Sequence, residues 1–260
     1  MVSQPLAIAL VVGLSSVFAF AQTGNAVLDG TKAVSQAAAQ APKTPLSPET
    51  RGDIFMARKM YREAIDVFRE DKSRNPVIIN KIGIAYHQML QLDNARKSYE
   101  QAIRLKPDYA EAINNLGTIY YARKSFRRSI GYYQKALKYA PNSASIYLNL
   151  GTAYFARKKY DEAMATYQTA LKLDPNVFET HGSYGVLLEE RSVEERAKFH
   201  FHIAKLYAQA GRNDLALQYL RKALEEGFKE KKKLEEDPDF QAMRDLPEFK
   251  ELLAKEPRVL

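Results

Sequence analysis

Gly83, Gly117, Gly151 and Gly185 stand 34 residues apart, and a fixed period of that length constrains a fold more than composition does. Around the first three glycines one frame recurs. The residue before is aliphatic (Ile82, Leu116, Leu150), and the third after is tyrosine (Tyr86, Tyr120, Tyr154). A small residue follows at twelve (Ala95, Ser129, Ala163) and a second tyrosine at sixteen (Tyr99, Tyr133, Tyr167). Alanine comes at nineteen (Ala102, Ala136, Ala170) and proline at twenty-four (Pro107, Pro141, Pro175). Apolar residues at spacings of three and four form a stripe on a helix, so each frame reads as two antiparallel helices. Glycine and alanine let the helix axes approach, tyrosine fills the space between them, and proline ends the second helix. Each pair leaves an apolar face that only its neighbour can cover, so the pairs stack into a solenoid.

The frame resembles the tetratricopeptide repeat family over residues 48–227. The resemblance implies an all-α fold, a right-handed α–α superhelix of about five to six helix pairs with C-terminal capping helices. The first unit is phased on Gly52, with Phe55, Ala64 and Phe68 in place, but Gly52 precedes Gly83 by only 31 residues and Asp71 replaces the later alanine. The fifth is phased on Gly185, with Leu188, Ala197, Phe201 and Ala204. Ala204 also opens a frame of its own, with Tyr207, Ala216, Leu220 and Ala223. A helix over 193–209 is therefore expected to serve two units, packing between 178–190 and 213–226. In residues 228–260, Phe240, Met243, Leu246, Phe249, Leu252 and Leu253 form the apolar face of an expected cap. The rival reading is a helix that touches a partner or a membrane.

Residues 1–21 read as a cleavable export signal: Leu6 to Ala21 is almost wholly apolar and ends in Ala19-Phe20-Ala21. The run is shorter than the ~20 residues a comfortable membrane span needs. No Lys or Arg precedes it, so only the terminal amine supplies the positive region, and an uncleaved anchor is the alternative. Residues 22–47, rich in Ala, Gln, Ser, Thr and Pro, read as a flexible linker. The expected location is the periplasm or the cell exterior.

No catalytic residue, metal or cofactor is expected. The chain has no cysteine, which excludes disulfides, thiolate zinc sites, thiol nucleophiles and lipid-bearing cysteines. Of four histidines (His87, His181, His200, His202), the last two stand two apart and point to different faces of a helix.

In the family the first helix of each unit lines a concave groove that holds extended peptides or partner helices. The resemblance places Lys81, Asn115 and Asn149, two before each glycine, facing inward. Asn80 and Asn114 fall at the groove edge, and Thr118, Thr152, His87, Tyr121 and Phe155 lie one turn on. An amide both donates and accepts, so stacked asparagines suit a peptide backbone; the other reading is that they stabilise the helix pairs. A clamp for a C-terminal carboxylate is disfavoured, because Leu148 and Asn149 stand where a second cation is needed.

The charge is localised. Residues 112–160 contain no acid and nine cations, which leaves the rest of a +8 chain at −1. Arg58-Lys59, Arg123-Lys124 and Arg157-Lys158 share one phase, six and seven residues after a glycine. With Arg127, Arg128 and Lys159 they are expected to form a basic ridge along one edge. Repeated helix-end cations also arise from dipole stabilisation alone. As function, the ridge suits an acidic protein surface, an anionic envelope polymer or a membrane surface, and nucleic acid only if the export signal is wrong. The expected function is a non-enzymatic exported scaffold binding a protein or peptide through its groove, with the ridge as the alternative surface.

Overall fold

Proline and a small polar cap together mark the start of two of the helices. Ser47 and Asn75 accept from the N–H groups of Thr50 and Val77 at 3.1 and 2.9 Å, each ahead of a proline in the first turn. The computed structural model describes residues 45–180 and 192–254. Its helices are α1 (Pro48–Ala57), α2 (Tyr61–Phe68), α3 (Pro76–Gln88), α4 (Leu92–Leu105), α5 (Ala110–Ala122), α6 (Phe126–Tyr139), α7 (Ala144–Ala156) and α8 (Tyr160–Leu173). After the short α9 (Val177–Thr180) come α10 (Val193–Gln209), α11 (Asn213–Glu225), α12 (Lys231–Glu236), a 3-10 turn (Pro238–Met243) and α13 (Pro247–Ala254). No strand occurs among the described residues. The export signal, the linker to residue 44, and Gly185, Leu188 and His181 lie outside them.

Consecutive helices pack as pairs, α1–α2 through α7–α8 and α10–α11, and each pair packs on the next to give an α–α solenoid. The crossing within a pair is set by an aromatic ring lying on a glycine. Phe68, Tyr99, Tyr133 and Tyr167 are buried against Gly52, Gly83, Gly117 and Gly151. A Cβ added at Gly83, Gly117 or Gly151 would lie 2.5–2.7 Å from a tyrosine ring carbon, inside van der Waals contact. In the last pair the same two positions are Ala204 and Leu220, both buried. One added carbon on the first helix is matched by a smaller side chain on the second.

Each turn within a pair closes in the same way. The residue seven after the crossing residue takes positive φ: Lys59 (59°), Leu90 (58°), Lys124 (58°), Lys158 (60°) and Gly211 (71°). Its N–H and the next one bond back to the helix end, as Lys124 N to Tyr121 O at 2.7 Å and Ser125 N to Tyr120 O at 2.8 Å. These two bonds satisfy carbonyls that a helix terminus otherwise leaves open.

Gly211 in this position makes α10 the first helix of the last pair. On its other side α10 meets the preceding pair, with Phe199 at 5.5 Å from Phe155 and 5.8 Å from Tyr167 between ring centroids. The C-terminal segment then closes the array. Phe240, Met243, Phe249 and Leu252 are buried, Leu246 and Leu253 pack beside them, and Phe240 meets Phe201 at 5.9 Å. Lys205 of α10 ties this segment down through Asp237 at 2.7 Å and Asp239 at 3.0 Å.

Two glycines of one helix pair should respond oppositely to alanine. Gly117→Ala gains about 1 kcal/mol of helix propensity but overpacks against Tyr133, for a net loss of about 1–2 kcal/mol in urea unfolding. Gly131 on α6 has no atom within 4 Å of an added Cβ, so Gly131→Ala should gain up to about 1 kcal/mol in the same measurement.

Candidate functional site

The five groove positions nearest the helix starts are spent on contacts between units. Asn115 Nδ2 donates to Asn80 Oδ1 at 3.1 Å, and Asn149 Nδ2 donates to Asn114 Oδ1 at 3.0 Å. Each pair joins the residue three before one glycine to the residue two before the next, 35 residues on. Asn114 Nδ2 reaches Asn115 Oδ1 at 3.3 Å, which links the two pairs into one ladder across α3, α5 and α7. Asn80 also donates to Glu111 at 3.0 Å. At the first interface the same step is an ion pair: Lys81 Nζ lies 2.7 Å from both Glu49 and Asp53. These carboxylates outweigh burial and hold the Lys81 ammonium above its ordinary pKa. Asn80 and Asn149 are fully or nearly fully buried, so a passing peptide does not meet them. The structure thus places the asparagine stack between repeats, where it satisfies itself.

The remaining groove positions divide. Thr118 and Thr152 are buried; each hydroxyl accepts from a core tyrosine, Tyr133 at 3.3 Å and Tyr167 at 3.0 Å, and donates to a carbonyl one turn back. Phe155 is only 4% exposed, because α10 lays Phe199 and His202 against it. His87 and Tyr121, seven residues after Asn80 and Asn114 and so two turns along the same side, are half-buried. They are the groove positions on this side that combine exposure with no role in the ladder.

The basic positions are exposed, Lys159 partly so. Arg123 pairs with Asp93 at 2.7 Å, Lys159 pairs with Glu162, and Arg128 lies over the Tyr120 ring at 5.7 Å. Arg58, Lys59, Lys124, Arg127, Arg157 and Lys158 make no ion pair with another described residue. The ridge is not continuous: at the same phase the second unit carries Met89 and Leu90, the latter 78% exposed. Arg127 and Arg128 also leave the turn and stand in the first turn of α6. With Lys135 and Lys138 they occupy its outer face, a grouping that the turn-based phase did not reveal.

The other ionisable groups are structural neighbours. His200 Nδ1 lies 2.6 Å from Glu226, which also takes Arg196 at 3.1 Å. Burial nevertheless depresses the His200 pKa below its ordinary value, with Glu226 opposing. His202 stacks on Tyr160 at 5.4 Å. No group of three or more His, Asp or Glu among the described residues is placed to hold a metal ion. A pocket of 380 Å³ between the starts of α5 and α7 is lined by Lys106, Asp108, Tyr109, Glu111, Asn114 and Ser143, among others. Tyr109 donates to Glu111 there at 3.2 Å.

Comparison with known proteins agrees with this architecture. Family models described as tetratricopeptide or TPR repeats match residues 83–124, 116–177 and 197–226. The matched stretches, residues 83–177 and 197–226, are tetratricopeptide repeats, and a fold of this kind supports a protein-interaction scaffold. Similar solved structures include a crystal structure of MamA, 22% identical, covering 70% of this chain and 96% of that one at a TM-score of 0.46. Another is MamA from Desulfovibrio magneticus RS-1, residue 41 to the end, 18% identical, covering 68% and 92% at a TM-score of 0.48. A search of curated proteins returned no significant match.

Because Asn149 is a rung rather than a ligand contact, Asn149→Ala should cost about 1–3 kcal/mol of stability in chemical unfolding by stranding the Asn114 oxygen. An unchanged midpoint would return Asn149 to the groove. His87 gives a pH test. Burial pushes its imidazole below the ordinary 6.5, so the unfolded chain takes a proton that the folded chain resists. Stability therefore falls as pH drops below 6.5 and levels off under the lowered value. Thermal melts at about pH 7.5 and about pH 5 should show a larger loss for the wild type than for His87→Gln.

Proposed function

We propose that the chain is an exported, non-enzymatic scaffold that holds an extended segment or helix of a protein partner along the inward faces of α3, α5 and α7. The observation that supports this is the ladder. It fixes three successive first helices side by side, so their exposed side chains form one continuous surface. His87 and Tyr121 offer adjacent ring area on that surface, and Tyr121 is braced by Phe126 at 5.1 Å. Export after Ala21 would deliver the array to the periplasm or exterior, where a chain without cysteine relies on packing alone. A second reading, contact of the basic edge with an anionic envelope polymer or membrane surface, is favoured by the exposure of Arg58, Lys124, Arg157 and Lys158.

Affinity capture from the envelope fraction tests both parts. The mature protein should be found there with a mass that begins at Gln22, and recovery only from the cytoplasm would defeat export. His87→Ala combined with Tyr121→Ala should release a partner that wild type retains, while the far-ultraviolet spectrum stays unchanged. Undiminished retention of every partner would defeat the groove.

A further inference from the structure

Helix α6 breaks two local rules at once, both on its solvent face. The first turns of α4, α8 and α11 carry Asp93, then Asp161 with Glu162, then Asp214. Acids there complement the positive end of the helix dipole. The first turn of α6 carries no acid; Arg127 and Arg128 stand there instead, four residues after Arg123 and Lys124 respectively. The second departure is Gly131, exposed in the middle of the helix with open space around it. The corresponding positions of α4, α8 and α11 are Lys97, Ala165 and Gln218. A glycine in an exposed helix interior lowers helix propensity and answers no packing need here. Arg128 lies over the Tyr120 ring, but Arg127 and Gly131 oppose folding without a structural return, and local departures of this kind are where a functional surface is expected.

At about 100° per residue, Arg127, Lys138, Gly131, Lys135 and Arg128 fall within an arc of about 100°. All are exposed. Arg127, Lys135 and Lys138 have no ion-pair partner among the described residues. The result is a basic stripe about 20 Å long with a gap in its middle where a partner can come close to the helix backbone.

We propose that the outer face of α6 docks an acidic segment of a protein partner, helical or extended, laid along the helix. This deepens the scaffold reading and rests on it, adding a second contact surface away from the groove. The carboxylates beside the start of the stripe select the partner. Exposed Asp93 on one side and exposed Asp161 and Glu162 on the other flank the first turn of α6, Asp93 paired with Arg123 and Glu162 with Lys159, while exposed Arg104 and Lys172 flank Lys138 at its far end. Neighbouring helices pack about 8–10 Å apart, so a flat anionic membrane or a nucleic-acid duplex lying across the start of α6 would press its phosphates against those carboxylates. A single acidic ribbon lies between them. Flanking like charge of this kind excludes the wrong partner as well as admitting the right one.

The test uses the full chain and a fluorescent 14-residue Glu/Asp-rich peptide, followed by anisotropy at low and physiological salt. Wild type should bind the peptide, more weakly as salt rises. Arg127→Glu with Arg128→Glu should lose at least about tenfold in affinity with a melting temperature equal to or above wild type, because acids now stand at the start of α6. Arg104→Glu with Lys172→Glu makes the same change in net charge on α4 and α8 and should bind as wild type. Gly131→Leu, which keeps every cation, should also weaken binding by closing the gap. Equal losses in the two charge variants would reduce the effect to net charge and overturn the proposal. So would tighter binding of phosphatidylglycerol vesicles or duplex DNA than of the peptide, or no peptide binding by wild type. Groove variants that release a partner while peptide binding persists separate the fate of this proposal from that of the groove.

Discussion

A ring lying on a glycine holds each helix pair together, and most other features depend on that approach. With no Cβ at Gly83, Gly117 or Gly151, the second helix comes close enough for its tyrosine to be enclosed completely. Enclosure then creates a demand, because a phenolic hydroxyl taken from water needs a partner. In the third and fourth units that partner is the threonine next to the glycine, Thr118 or Thr152, whose own proton goes to the preceding turn of the helix. The glycine, its neighbouring hydroxyl and the ring sixteen residues on therefore act as one unit. In the last pair the unit is rebuilt without polar demand, from Ala204 and Leu220.

The pairs are joined by a different kind of contact. Apolar stacking alone sets little register between repeats, since one smooth helical face can slide on another. The ladder supplies direction: amide to amide between α3 and α5 and between α5 and α7, and ammonium to carboxylate between α1 and α3. Buried or half-buried polar groups of this sort are satisfied in only one alignment. Coupling in such an array runs between nearest neighbours, so each rung acts on one interface. The shorter 31-residue step between Gly52 and Gly83 falls where the rung is a flexible lysine with two acceptors.

The pair architecture was legible because each of its requirements falls at a fixed distance from a glycine. The fate of the groove residues was not, for two physical reasons. The ladder joins unlike positions, three before one glycine and two before the next, so its partners stand 35 apart in a 34-residue period; tracking like positions misses them. Phe155 looked like a groove aromatic because Tyr121 occupies the same phase, yet the two meet different neighbours. Phe199 and His202, on a helix whose frame is shifted, cover Phe155 and leave Tyr121 half-open. Of the two sides expected for helix 193–209, the packing on α11 is seen; towards 178–190, Phe178 meets Tyr207 while residues 181–191 lie outside the described residues, and the helix also meets Phe155.

The basic residues show why phase alone is a weak guide to function. Lys59, Lys124 and Lys158 share a left-handed backbone position that costs a non-glycine residue about 1 kcal/mol, which looks like strain kept for the sake of charge. Leu90 holds the same conformation at the same phase with no charge at all, and Gly211 holds it without strain. The turn therefore accepts lysine, leucine and glycine alike, and a lysine there carries no message by itself. Arg127 and Arg128 differ: every other first turn of a second helix, α2 with Glu63 included, contains an acid. Repetition explains what all units share; selection for a partner is better sought where one unit departs from the rest against its own stability.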